Sequence, residues 1–275
     1  MKKASSGAFG GVLAAMVFTW GAQGAPAPRP GVNLPPPPVQ QTPQSTDSRS
    51  LAQARELVLM ALSLPEENRL QALREQAQQA SLRSSSFRAL EQLSFEDSQS
   101  LQVRWRSLTA LAQVYPEQAE PVLNRAAASS DWFMRNAALV AMTSLRSEYA
   151  LAWAQKLSRD PALVVRTAAF QLIAHIGAPQ TESLLWEQLY APENFHNGQS
   201  LFVRRHIVKA LSAIARPGQE ARYIRVLEDA DARLHPFAIQ ALEKISGRTL
   251  TAQGATVSQV KEEWLSWWGS QNLQL

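Results

Sequence analysis

Residues Asp160–Gly177 read DPALVVRTAAFQLIAHIG, and the spacing of their apolar positions decides the fold. Counted from Arg166, apolar side chains fall four, seven and ten places on, at Phe170, Ile173 and Ile176, with Ala169 and Leu172 at three and six. Offsets of 3, 4, 7 and 10 trace one face of an α-helix. The same pattern returns along the chain. An apolar residue followed by Arg recurs at Val103-Arg104, Met134-Arg135, Val165-Arg166 and Val203-Arg204, with Leu234-His235 as a fifth copy, at intervals of 31, 31, 38 and 31 residues. A period of this size marks units that cannot bury their own apolar face and must stack on one another.

The copies agree beyond the anchor. Offset 4 holds Leu108, Leu139, Phe170, Val208 and Ile239, and offset 7 holds Leu111, Met142, Ile173, Leu211 and Leu242. Offset 10 holds Val114, Leu145, Ile176, Ile214 and Ile245. Alanine dominates offsets 3 and 6, which lets neighbouring helices approach closely. Shorter apolar-periodic segments separate the copies, at 121–128, 150–157, 181–190 and 219–227, so each unit is a helical hairpin. Asp160-Pro161 reads as a capping carboxylate before a first-turn proline, while Gly177, Gly218 and Gly247 punctuate the turns. The expected architecture is all-α: a solenoid of about five hairpins, with capping helices at both ends.

These residues resemble the second helix of a HEAT repeat, of the short bacterial HEAT-like type with the pattern D-P-x-x-x-V-R-x-x-A-A-x-x-L-x-x-I-G. Residues 129–145 and 203–214 keep the anchor Arg, and the fifth copy carries His235 in its place. The tail GATVSQVKEEWLSWWGSQ resembles the W-x-x-W-W helix that often follows such arrays, through Trp264, Trp267 and Trp268. The resemblance spans about Phe87 to Gln271 and speaks for fold rather than activity. It implies that the second helices line a concave surface and that Arg104, Arg135, Arg166 and Arg204 pair with acids in their own or the next repeat. Asp131, Asp160, Asp229 and Asp231 are the candidate acids. Desolvating an arginine is tolerated when a carboxylate and hydrogen bonds meet it, so this ladder reads as structural.

Four segments are expected. Residues 1–24 read as an export signal: Lys2-Lys3, a short apolar run from Ala8 to Trp20, and the small-x-small site Ala22-Gln23-Gly24. Residues 25–50, with four consecutive prolines at 35–38, read as a disordered spacer. Residues 51–82 form a helical N-terminal cap, with Ser84-Ser85-Ser86 as a turn before the first recognisable repeat, and 83–275 hold the array and its terminal helix. The apolar run is too short and glycine-broken for a comfortable membrane span, so no stable span remains after cleavage. The absence of cysteine fits an oxidising compartment, and the expected location is periplasmic or secreted.

Charge argues against nucleic acid as a partner. There are 27 Lys and Arg against 23 Asp and Glu, and losing Lys2 and Lys3 leaves 25 against 23, a net of +2. A phosphate-tracking protein displays a concentrated basic face instead. The four histidines include no His-Glu pair of the kind a HEAT-repeat hydroxylase uses, and no nucleophile elbow, phosphate loop or reactive cysteine is present. No catalytic residue, metal or cofactor is expected. The first reading is a non-enzymatic scaffold for a protein or peptide partner with an acidic segment. A binder of an envelope polymer or anionic ligand comes second, and a HEAT-like lyase, by resemblance to phycobilin-lyase arrays, third.

Second-helix positions that the core leaves free are offsets 1, 2, 5 and 9. They give Trp105, Arg106, Thr109 and Gln113, then Asn136, Val140 and Ser144, then Thr167, Gln171 and His175, then Arg205, His206 and Lys209. The long interval between Arg166 and Arg204 places seven extra residues in APENFHNG, Ala191–Gly198, where Phe195 and His196 are candidate contacts. The candidate partner-binding set is therefore Trp105, Arg106, Gln171, His175, Phe195, His196, Arg205, His206 and Lys209.

Overall fold

The apolar stripes meet as stacked layers. The computed structural model describes residues 43–145, 148–250 and 254–272, so the segment expected as an export signal and the expected spacer as far as residue 42 lie outside the described residues. In chain order the helices are α1 (Pro43–Ser63), α2 (Glu66–Gln78), α3 (Ala80–Phe95), α4 (Leu101–Val114), α5 (Ala119–Ala127), α6 (Trp132–Met142) and α7 (Glu148–Leu157). They continue as α8 (Leu163–Ile176), α9 (Glu182–Leu189), α10 (Val203–Ala213), α11 (Glu220–Leu227), α12 (His235–Ser246) and α13 (Val257–Asn272). A two-residue hairpin, β1 (Phe195–His196) with β2 (Gln199–Ser200), lies between α9 and α10.

Five hairpins, α3/α4 through α11/α12, form the array, and α4, α6, α8, α10 and α12 are the five motif copies. These second helices pack side by side, whereas successive first helices beyond α3 share far less contact. The layers therefore close on the second-helix side, which becomes the inner face. The alanines explain the close approach: Ala110, Ala138, Ala141, Ala169, Ala210, Ala238 and Ala241 are all buried, beside fully buried Leu108, Leu139, Phe170 and Val208. The offset-10 residues, from Val114 to Ile245, lie at the helix ends and are only partly covered. The structure is an all-α solenoid.

Local punctuation follows from side-chain chemistry. Ser100 Oγ accepts from the Val103 amide and Asp131 Oδ1 from the Phe133 amide, capping α4 and α6. Gly177 and Gly247 end α8 and α12 with φ of 65°, a left-handed conformation that costs glycine least. Asp160 acts differently from the expected first-turn cap. Its Oδ1 accepts from the Ala162 amide at 2.8 Å, but α8 starts only at Leu163, because the carboxylate is turned toward Arg135.

Two N-terminal expectations are corrected. Helix α1 begins at Pro43, inside the stretch expected as spacer, because a proline at a helix start loses no intrahelical bond. Ser84-Ser85-Ser86 is no turn: it lies within α3, which crosses the expected boundary at 82/83. Leu82, Phe87, Leu90 and Leu93 give that segment helical apolar spacing, and the hydroxyls are absorbed locally. Ser85 Oγ donates to the Leu82 carbonyl, and fully buried Ser86 donates to Gln76 Oε1.

At the far end α13 packs across α11 and α12. Trp264 is fully buried, Trp267 meets it edge-on at 5.2 Å between ring centroids, and the Arg248 guanidinium covers Trp267 at 5.7 Å. We predict that Trp264→Ala costs about 3–5 kcal/mol and lowers the midpoint of thermal unfolding. An unchanged midpoint would mean that α13 does not close the array.

Candidate functional site

The anchor arginines are held by ion pairs and hydrogen bonds that link neighbouring repeats. Each reaches from its own second helix to the repeat that follows. Arg104 meets Asp97 at 3.3 Å and Asp131 at 3.9 Å. Arg135 grips Asp160 with Nε at 2.6 Å and Nη2 at 2.9 Å, and also donates to the Ser129 and Ser130 carbonyls. Arg204, 1% exposed, grips Asp229 at 2.5 and 3.3 Å and donates to the Leu189 carbonyl. His235 is bonded through Nε2 to the Asp229 carbonyl at 2.9 Å. Burial works to raise the Asp160 carboxyl, but the Arg135 bonds and the Ala162 amide hold it below the usual carboxylate range. Asp231 is not a rung of the ladder. It is bonded by Arg233 within its own loop and by the Ser200 hydroxyl, which together outweigh burial and hold its carboxyl at about 2.

Arg166 breaks the pattern, and the extra residues explain how. It is 4% exposed, yet no carboxylate contacts its guanidinium among the described residues. Instead Nε donates to Asn194 Oδ1 at 3.0 Å, Nη2 to the Glu193 carbonyl at 2.8 Å, and Nη1 to the Asp160 and Pro161 carbonyls. Asn194 is fully buried and donates in turn to the Gln188 carbonyl at 2.7 Å. The insertion thus supplies the missing acceptors and then turns back through Asn197 and Gly198, at φ of 49° and 76°, the primed turn a tight hairpin favours. Phe195 lies against the Arg204 guanidinium at 4.5 Å. It is therefore held on the array rather than offered as a free contact, while His196 is exposed.

The remaining candidates occupy the inner face. Helices α4, α6, α8 and α10 contain no Asp or Glu, and α12 contains only Glu243. Apart from Glu243, the acidic residues of the array lie on first helices and in loops, so Arg205 and Lys209 face no carboxylate from the second helices α4 to α10. Gln171 and Lys209 hold the same offset on adjacent helices, one helix spacing of about 10 Å apart. His175 is exposed near the end of α8. Exposed Arg205 lies 5.6 Å from the ring centroids of both Phe202 and Phe237. His206 does not join the basic cluster. Its ring packs edge-on against Phe202 at 4.8 Å, and burial, with Arg205 and Lys209 nearby, pushes its pKa below the usual histidine value. Trp105 and Arg106 lie at the other end, on α4, with the Trp105 ring tilted against Phe133 at 5.8 Å between centroids.

Sequence reasoning missed one feature of this face. Leu101, Trp132, Leu163, Val164 and Phe202 are between 38% and 53% exposed, and all fall in the first turn or cap of α4, α6, α8 and α10. The signal was an apolar residue two or three places before each anchor. Together they form an apolar edge along the basic inner face, with Trp132, Phe133 and Trp105 in aromatic contact. Among the described residues no group of three or more His, Asp or Glu is placed to hold a metal, and no helix is long and apolar enough to cross a membrane.

Comparison with known proteins agrees with the geometry. Residues 88–174, about a third of the chain, match the family model described as HEAT repeats. No curated protein matches it. Among solved structures, the crystal structure of an engineered protein is similar at 18% identity with a TM-score of 0.43, covering 71% of this chain and 97% of that one.

Asn194 provides the direct test of the insertion's role. Replacing it with Ala leaves the Arg166 Nε donor buried and unpartnered, which costs about 3 kcal/mol. Chemical denaturation should show that loss, whereas His196→Ala in the same hairpin should cost under about 0.5 kcal/mol. Equal, small effects from both would mean that Arg166 does not depend on the insertion.

Proposed function

We propose that this chain is an exported, non-enzymatic scaffold of the cell envelope whose inner face holds an acidic segment of a partner protein. HEAT repeats generally serve protein–protein interaction, and the coarse assignment rests on that family. The observation carrying the finer reading is the acid-free second-helix layer. Arg205 and Lys209 are exposed there without a carboxylate partner among the described residues, beside the apolar edge formed by Phe202, Leu163 and Val164. A peptide alternating acidic and apolar side chains matches that surface in charge and in hydrophobicity. Export is supported by the charged, apolar and small-residue segments of 1–24, and the inner face offers no constellation for covalent or acid–base chemistry.

The test combines crosslinking in envelope fractions with the double variant Arg205→Gln, Lys209→Gln. The pair should lose the crosslinked partner while keeping the unfolding midpoint. Capture by the wild-type chain should weaken as salt rises from 50 to 300 mM, over which range the screening length shortens from above 10 Å to well below it. Because burial and the neighbouring cations push the His206 pKa below the usual histidine value, His206→Gln should leave capture at pH 7.5 unchanged. Retention of the partner by the double variant would overturn the reading, and cosedimentation with purified wall in place of a protein crosslink would favour an envelope polymer.

A further inference from the structure

At the opposite end of the inner face, α2, α4 and α6 enclose a cavity of about 480 Å³ whose lining includes Arg69, Trp105, Arg106, Thr109, Gln113 and Thr143. Two guanidinium groups meet there. Arg69 is 8% exposed, and the only hydrogen bond of its side chain among the described residues runs to the Leu64 carbonyl at a long 3.3 Å. Arg106 donates to the Leu62 carbonyl at 2.7 Å. Neither forms an ion pair with a described carboxylate. Burial, and next the charge of Arg106, pull the Arg69 pKa down, and Glu66, which also lines the cavity, offsets only part of this. Two like charges sharing a partly desolvated space are costly without a counter-charge. The carbonyls at the end of α1 account for one donor each, while a guanidinium has five.

The other buried arginines, Arg166 and Arg204, each have several acceptors, drawn from their own and the following repeat. Here the space beside the pair is open. With each water taking about 30 Å³ of liquid volume, the cavity exceeds a single ordered water many times over and lies within the size range of small-ligand sites. Its polar lining sets the donors Arg69, Arg106 and the Gln113 amide against one carboxylate, Glu66, and the indole of Trp105 forms part of its wall.

We infer that this cavity is a binding site for an oxyanion, a carboxylate or phosphate group that bridges Arg69 and Arg106. The site does not rest on the acidic-segment reading, because it lies on α2 and α4, away from Arg205 and Lys209 on α10. A bidentate guanidinium geometry suits either anion.

The test uses the full exported chain labelled with ¹⁵N, titrated with inorganic phosphate and separately with succinate, at ionic strength held constant with sodium chloride. The Trp105 indole N–H and the Arg69 and Arg106 Nε–H signals should shift and saturate with at least one of the two. Saturation with phosphate alone identifies a phosphate site, and saturation with succinate alone a carboxylate site. Arg106→Gln should weaken the response at least tenfold, whereas Arg205→Gln with Lys209→Gln should leave it intact. A second variant guards against a merely misfolded Arg106→Gln. Gln113→Glu places an internal counter-charge in the cavity and should abolish the anion response without lowering the unfolding midpoint. Shifts that stay linear to high concentration, an undiminished response in Arg106→Gln, or a Gln113→Glu chain that melts earlier and still responds would each overturn the assignment.

Discussion

The array depends on one constraint: a buried guanidinium must find its acceptors in the repeat that follows. Arg135 is covered on its own helix and reaches Asp160 in the next hairpin, and Arg204 reaches Asp229 in the same way. Taking such charges out of water costs several kcal/mol unless acceptors are already in place. A repeat is therefore complete only when its successor has folded against it. Alanine-mediated approach of the second helices brings the partners within reach, and the ladder fixes their register.

That constraint also shapes the surface. Carboxylates are drawn to the loops where the anchors need them, and α4, α6, α8 and α10 are left with cations and neutral groups. A single arrangement thus gives the stack its order and leaves an inner face of one sign. The insertion belongs to the same economy of acceptors. At Arg166, where a carboxylate is missing, Asn194 and three loop carbonyls take its place. Its Phe195 then covers Arg204 one rung further on.

Much of this was legible in the sequence. The five anchors, the apolar offsets 4 and 7 and the alanines at 3 and 6 specify stacked hairpins, because helix periodicity and repeat period are both local properties of the chain. Terminal Trp264 was legible for the same reason. The ends of elements were not. Ser84-Ser85-Ser86 looks like a turn by composition, and only tertiary partners such as Gln76 reveal it as buried helix. His206 looked basic by type, but burial, and next its neighbours Arg205 and Lys209, lower its pKa. Phe195 could be read either as an exposed contact or as folded back on the array, and no sequence pattern decides between the two; its place against the Arg204 guanidinium does. Arg69 gave no signal at all, since it lies outside the repeat motif and gains its interest only from meeting Arg106 across helices.

The central claim is energetic coupling between repeats through the anchor ladder, and a double-mutant cycle on Arg135 and Asp160 measures it most directly. Arg135→Gln, Asp160→Asn and the double variant should give a coupling energy of about 2 kcal/mol or more, as expected for a bidentate pair shielded from water. A coupling below about 0.5 kcal/mol, the range of exposed ion pairs, would contradict the account and leave the alanine-packed helices to order the stack alone.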